Sequence, residues 1–459
     1  MSTRHGVPTN GGSTHDGTAA ATTRQLGASR QSGVRLTAGW RDSADAAGLR
    51  QHTEIYGPLP RRGSSRDRGK LAAAVAEAGL TGRGGAAFPT GTKLRSVAAR
   101  RGRAVVIANG MEGEPASEKD RALMSRAPHL VLDGAALAAE AVGADVVHLC
   151  LPRSRQWLVE LMTGAIAERE RAGQDAVAFD VHELPHHYVS GEETALVRWL
   201  NGGEAKPLAT PPRPFEKGVG RRPTLVDNVE TLAHVALIAR YGPAWFRQAG
   251  LPHAPGTMLA TVSGAVAEPG VYEIELGTTI SEVLALSGAS GQASDILLGG
   301  YFGTWHDIGA VAGLPITASD LRRVGASPGA GVIAVLPPDA CGLAETARVL
   351  AYLASQSAGQ CGPCAFGLPA IADDFAQLVS GRPQGPVLDR LDRRFAAITG
   401  RGACRHPDGA TRLAASALAA FAADAHAHAS HRPCRSGQHG RSRPAVLPIP
   451  RPAAGGVWQ

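Results

Sequence analysis

Residues 104–115 read AVVIANGMEGEP, an apolar run that stops at Asn109 and passes into an acidic, glycine-punctuated loop. A short apolar run bounded by turn formers predicts a strand over Ala104–Ala108. The chain on either side is helical in pattern. Upstream, Lys70–Leu80 (KLAAAVAEAGL) is alanine-rich and closes at Gly79, and a second helix is expected over Thr90–Arg100. Downstream, a helix over Pro128–Val142, a strand over Asp145–Leu151 and a helix over Ser154–Arg171 keep the alternation. Strands alternating with helices of this length predict an α/β fold.

The pattern changes near Pro252–Pro255. Residues 258–289 (MLATVSGAVAEPGVYEIELGTTISEVLALSGA) predict two strands around the turn Glu268-Pro269-Gly270, then a helix from Thr279. A further strand is expected at Val332–Leu336. Beyond it, Leu343–Ser357, Gly367–Leu378, Pro386–Ile398 and Thr411–Ala425 are Ala/Leu-periodic and predict a C-terminal four-helix bundle. Residues 1–48 and 426–459 lack sustained periodicity and read as disordered basic tails.

Of the 459 residues, 44% are hydrophobic, 5% aromatic and 19% charged, with 57 glycines and 31 prolines. The glycines follow no three-residue period, which excludes a collagen-like chain. Asp133, Glu140 and Asp145 interrupt the apolar stretch 129–151, so no membrane span is expected. The net charge is +7, but the arginine-rich segments 1–69 and 427–459 contribute +10, which leaves the middle at −3. That distribution reads as solvated tails, and no nucleic-acid partner is expected. The N-terminus lacks the apolar core of a secretory signal, so a cytoplasmic protein is expected.

Four segments carry chemistry. The loop Gly82–Lys93 (GRGGAAFPTGTK) follows a helix, so it is not the dinucleotide fingerprint. Its glycines let backbone approach a ligand, and its amides suit a phosphate; the same run also reads as an ordinary tight loop. Asn109–Pro115 leaves a strand end, where acceptors can hold a ribose or ribityl chain or a flavin or nicotinamide ring, or simply face solvent. Gly191-Glu192-Glu193-Thr194 and Asp227-Asn228-Val229-Glu230-Thr231 each enter a helix and also read as N-terminal caps. Cys361-Gly362-Pro363-Cys364, with Cys404 downstream, suits iron–sulfur, zinc or dithiol chemistry. Cys150 reads as inert core, Cys341 as too distant to join Cys361, and Cys434 as unassigned.

Taken in order, these segments resemble the F-type, NADH-binding flavoprotein component of respiratory complex I and its relatives in hydrogenases and formate dehydrogenases. The resemblance runs from Leu49 to Phe421. It implies a Rossmann-like FMN-binding α/β domain within 49–250, a β-grasp domain of the soluble-ligand-binding (SLBB) type at 256–338, and a helical iron–sulfur domain at 340–425. It implies FMN contacts at Gly82, Arg83, Gly84, Gly85, Lys93, Asn109, Glu112, Tyr188, Gly191, Glu192, Glu193, Asn228 and Thr231. It also implies the adenine of a nicotinamide dinucleotide stacking on Phe88, with Glu112, Glu114 and Glu193 orienting donor and flavin. Cys361, Cys364 and Cys404 are the implied cluster ligands.

The chain departs from the family pattern in several places. Met111 replaces an aspartate and Asp227 an asparagine. Val97 and Arg213 stand where the family places phenylalanines, and Ala358 stands at the first cluster-ligand position. A [3Fe–4S] cluster, or a [4Fe–4S] cluster with a non-cysteine fourth ligand, is the corresponding expectation. The implied function is an NADH dehydrogenase-like oxidoreductase. It would pass electrons from NAD(P)H or another donor through FMN and the cluster to a ferredoxin-like protein or another oxidoreductase component, free in the cytoplasm or peripheral to a membrane complex. The competing reading is a non-catalytic scaffold that has lost its NADH site and cluster.

Overall fold

A computed structural model describes residues 23–25, 35–40, 46–60, 68–434, 445–450 and Trp458. The expectation of disorder elsewhere in the tails lies outside the described residues.

The first sheet is all parallel. Strand β1 (Thr23–Gln25) belongs to a later sheet; β2 (Val105–Asn109), β3 (Val146–Pro152), β4 (Ala178–Leu184) and β5 (Thr224–Asn228) stand in the order β4–β3–β2–β5. Helices α1 (Leu49–Tyr56), α2 (Arg68–Ala78), α3 (Thr90–Ala98), α4 (Lys119–Arg126), α5 (Pro128–Val142), α6 (Gln156–Arg171), α7 (Glu193–Leu200) and α8 (Val229–Phe246) surround it. Alternate side chains of a strand face opposite ways. Val106 and Ala108 therefore join the core under α5 and α8, while Val105 and Ile107 pack with Met111, Cys150, Leu196 and Val197 on the other face. A parallel sheet covered on both faces explains why its strands read as continuous apolar runs.

After the two-residue strands β6 (Gly250–Leu251) and β7 (Ala254–Pro255), the second sheet begins with the expected hairpin. Strands β8 (Thr257–Gly264) and β9 (Gly270–Glu275) pair antiparallel. Helix α9 (Ile280–Leu286) starts at a capping box in which Thr279 and Glu282 satisfy each other's backbone amides. Strands β10 (Asp295–Leu298) and β11 (Thr304–Asp307), then α10 (Ile308–Val311), α11 (Ala318–Arg322) and β12 (Val332–Leu336), complete the order β1–β9–β8–β12–β10–β11. β10 and β11 were not foreseen: four-residue strands are too short to show a period.

The C-terminal helices are α12 (Gly342–Ser355), α13 (Leu368–Val379), α14 (Val387–Ile398), α15 (His406–Ala420) and α16 (Ala422–Ala429). The expected helix over Thr411–Ala425 is corrected at both ends. Pro407 and Asp408 in the first turn start α15 earlier, and Phe421 (φ −108°, ψ 36°) separates it from a fifth helix.

The described parts of the tails are not disordered as expected. Leu36 and Trp40 are buried, and the backbone amides of Leu36 and Thr37 donate to Glu273. Beyond α16, Val446 and Leu447 donate backbone amides to Glu345 on α12, and Trp458 stacks on His187 at 3.9 Å. These segments have no period because they pack as single strands of chain against surfaces built elsewhere.

Candidate functional site

The strand order reverses between β2 and β5, and open α/β sheets bind ligands outside the carboxyl ends at such a switch point. There Asn109 and Asn228 are register partners. Asn109 Nδ2 donates to the Gly191 carbonyl at 2.8 Å, and its Oδ1 accepts from the Met111 amide at 3.2 Å. Asn228 caps α8 by accepting from the Glu230 amide at 3.0 Å and donates to Asp120 at 2.6 Å. The glycine loop lies against this edge. Arg83 N donates to Thr231 Oγ1 at 2.8 Å, and a Cβ on Gly84 would stand 3.3 Å from that of Asn228. Four motifs far apart in the chain thus converge.

The loop is pinched at its neck by the Gly82 amide, which donates to the Phe88 carbonyl at 2.8 Å. Between these residues, Gly85 (φ +106°) and Ala87 (φ +50°) take left-handed conformations, and the amides of Gly84 to Ala87 donate to no acceptor among the described residues. Lys93 Nζ donates to the Val226 carbonyl and lies 3.4 Å from Asp227 and 3.9 Å from Glu193. Glu193 in turn lies 3.8 Å from Arg213. Burial pushes the Asp227 carboxyl up against the opposing pull of Lys93, and its Oδ2 has no hydrogen-bond partner among the described residues. Phe88 is 52% exposed. Unpaired loop amides, a buried acceptor without a donor and a glycine pressed on Asn228 fit a flavin mononucleotide.

Several expected ligand contacts are replaced by contacts within the protein. Arg83 turns its guanidinium away from the loop to donate to the Thr257 carbonyl at 2.9 Å and to Thr81. Glu112 accepts from Ser117 Oγ and the Asp120 amide through one oxygen, and from the Arg121 amide and Arg155 through the other. Glu114 accepts from the Ala116 amide, the Tyr301 amide and Tyr188 OH. With both oxygens engaged, Glu112 and Glu114 hold the strand-end loop in place. Tyr188 is likewise spent on Glu114. Glu192 caps α7, accepting from the Thr194 and Ala195 amides. Val97 is buried in the core, so its lack of an aromatic ring says nothing about the donor site.

Sequence reasoning missed a buried charge cluster beside this edge. Lys119 Nζ lies 2.6 Å from Asp120 and 2.8 Å from Glu230, and all three side chains are buried. Glu230 also accepts from the Leu259 amide on β8 at 2.8 Å. The only signal was a charged run, Glu118–Arg121, which reads on its face as solvated helix.

Cys361, in the loop after α12, and Cys364, in the π-helical turn Pro363–Gly367, meet Cys404 from the loop before α15. Burial pushes the Cys364 thiol up, and Cys361 and Cys404 beside it push it further. Cys404 is raised by burial, is opposed by the His406 amide, and is raised again by Glu192 and Cys361. Among the described residues, the triads whose donor atoms all lie within 4.8 Å of one another are Cys341–His428–Cys434 and His148–Asp180–His182. The Cys361–Cys364–Cys404 set is wider. Three thiolates from two neighbouring loops are a donor set that an iron–sulfur cluster takes. Ala358 offers no donor. Cys150 is buried core, as expected.

Residues 75–237 match the Nuo51 FMN-binding domain, 259–295 the SLBB domain, and 344–428 the NADH-ubiquinone oxidoreductase-F iron-sulfur binding region. The chain is 31% identical over 376 residues to the second of the NADH-quinone oxidoreductase F subunits of Rhizobium meliloti (strain 1021), covering 78% of this chain and 89% of that protein. It is 32% identical over 374 residues to the NADH-quinone oxidoreductase F subunit of Salmonella typhimurium, covering 77% and 82%. A chain in the crystal structure of NAD+-reducing [NiFe]-hydrogenase in the air-oxidized state superposes with a TM-score of 0.78 at 29% identity, covering 93% of this chain and 70% of that one. Among the described residues, no helix is long and apolar enough to cross a membrane.

Proposed function

As a member of the family of NADH-quinone oxidoreductase F subunits, the chain is an electron-transferring flavoprotein oxidoreductase, and we propose that NAD(P)H is its donor and that Cys361, Cys364 and Cys404 hold its iron–sulfur cluster. One observation supports the reading: residues 191–193 lie between the proposed flavin edge and Cys404. Gly191 and Glu193 border the flavin edge, while Glu192, between them, acts electrostatically on Cys404. FMN accepts a hydride as an electron pair and releases electrons singly, which is the chemistry that a cluster beside it requires.

The chain's own residues supply the rest. The free amides of Gly84 to Ala87 and the charge of Lys93 would hold the anionic part of a bound flavin, and Asp227 would supply an acceptor. Phe88 presents an aromatic face to the nicotinamide dinucleotide. Glu193, balanced between Lys93 and Arg213, orients the donor. Asn109, Asn228 and Thr231 fix the loops, as Glu112 and Glu114 do. The acceptor is an electron-transfer partner, either ferredoxin-like or another component of an oxidoreductase complex. The scaffold alternative is not favoured, because the chain matches both the FMN-binding and the iron-sulfur binding family models.

The test is anaerobic purification followed by a visible spectrum and titration with NADH and NADPH. Flavin and iron–sulfur absorbance that bleach together on adding either donor support the reading. A colourless protein after reconstitution with FMN, iron and sulfide overturns it.

A further inference from the structure

At the far end of the helical region a second group of soft donors comes together, used by neither the flavin edge nor the cluster. Cys341 sits at the N-cap of α12, where its side chain makes no capping hydrogen bond. His428 lies in the last turn of α16, and Cys434 follows five residues beyond that helix. His428 and Cys434 are buried, and Cys341 is half-buried. Their donor atoms all lie within 4.8 Å of one another, and Cys341 Sγ stands 3.7 Å from His428 Nε2.

The Cys341–His428 separation is that of two donors on one ion, and Cys434 lies within reach of both. Bonds of about 2.3 Å to sulfur and about 2.0–2.1 Å to nitrogen place tetrahedral donors about 3.6–3.8 Å apart. We propose that Cys341, His428 and Cys434 bind a single zinc ion. The mixed thiolate–imidazole set is the borderline-soft donor class that zinc takes in structural sites. Cys341 is open enough to solvent for water to complete the fourth position. Zinc binds the thiolate form, so the ion takes the place of the thiol protons, which leave to solvent.

The site ties the chain that leaves α16 to the start of α12. The same helix start receives the next described segment, where Val446 and Leu447 donate to Glu345 and Leu447 is fully buried. Zinc is thus the first of two fastenings that fold the C-terminal segment back over the bundle. Its place is distinct from the three-cysteine site, since Cys341 precedes α12 and Cys361 follows it.

The full chain, purified anaerobically with its flavin and cluster, decides the matter. Elemental analysis should give one zinc per chain besides the cluster iron. Zinc-edge absorption spectroscopy should show two sulfurs near about 2.3 Å and an imidazole nitrogen near about 2.0–2.1 Å. Cys361→Ser should keep that zinc, whereas His428→Ala and Cys434→Ala should lose it while retaining flavin absorbance. Substoichiometric zinc, loss of zinc in Cys361→Ser, or a Cys341–Cys434 disulfide in thiol-blocked anaerobic protein would overturn the assignment. If the alanine variants do not fold, the wild-type zinc edge alone decides, because three sulfurs or none contradicts this ligand set.

Discussion

At the residue scale, the donor site turns on what stands beside Phe88. Arg213 is exposed and touches Glu193 only at 3.8 Å, an ion pair that solvent screens to little value. Replacing Arg213 with Phe should restore a stacking face and tighten NADH by about 0.5–1.5 kcal/mol, roughly two- to tenfold in Kd. Stopped-flow flavin reduction against NADH concentration reads it. An unchanged half-saturation concentration would show that the arginine is not at the adenine. Gly84 offers a sharper test. Its backbone already lies close enough to Asn228 that a Cβ would stand 3.3 Å from that side chain. Gly84→Val should abolish flavin retention, measured as flavin released per chain, while the circular dichroism of the fold persists.

At the scale of elements, the strand-end loop is held by a carboxyl whose protonation matters. Burial raises Glu114 to about 7, against the hydrogen bonds from Tyr301, Tyr188 and Ala116 that favour its charged form. A folded-state value above the ordinary one means that Glu114 contributes stability fully below pH 4.5 and loses it as pH rises through about 7. The change is about 3 kcal/mol. Glu114→Gln cannot titrate. Its melting temperature relative to wild type should therefore climb between pH 4.5 and about 7 and level off above that. A flat difference would mean that the carboxyl stays ionised throughout. In the helical region, Ala358 leaves one cluster position without a thiolate. Air-oxidised protein should show a [3Fe–4S]-type electron paramagnetic resonance signal, and Ala358→Cys should convert it to a stable [4Fe–4S] cluster. A wild-type protein already holding four irons without the substitution would refute this.

At the scale of the molecule, the flavin-binding sheet and the second sheet are sewn together by buried polar groups. Arg83 donates to the Thr257 carbonyl, Glu230 accepts from Leu259, and Glu114 accepts from Tyr301. Removing one partner of such a set strands the others in low dielectric. Arg83→Met should cost about 3–5 kcal/mol and separate the unfolding of the flavin site from that of the β-grasp sheet. Denaturant curves followed by flavin fluorescence and far-ultraviolet circular dichroism would then stop coinciding. Coincident curves with little loss of stability would show that the contact is incidental.

The α/β alternation, the hairpin at Glu268-Pro269-Gly270, the helix start at Thr279 and the helical periods after Leu343 were legible because each is a local signal, set by spacing within one or two turns of chain. So were the motifs at Gly82, Asn109, Gly191, Asn228 and Cys361, whose residue types advertise a ligand. What each side chain does with its polar atoms was not legible. Glu112, Glu114 and Arg83 look like ligand contacts in the sequence, yet the tertiary structure spends them on buried backbone amides and carbonyls that no local pattern reveals. Lys119 and Asp120, in a charged run, and Glu230, in a cap motif, are buried together. Cys341 reads as too distant from Cys361 and Cys434 as unassigned, and the two meet only because the chain turns at Phe421 between α15 and α16 and returns to the start of α12. Local sequence decides which elements form; the requirement that every buried charge and amide find a partner is met across the chain, and only the folded structure decides it.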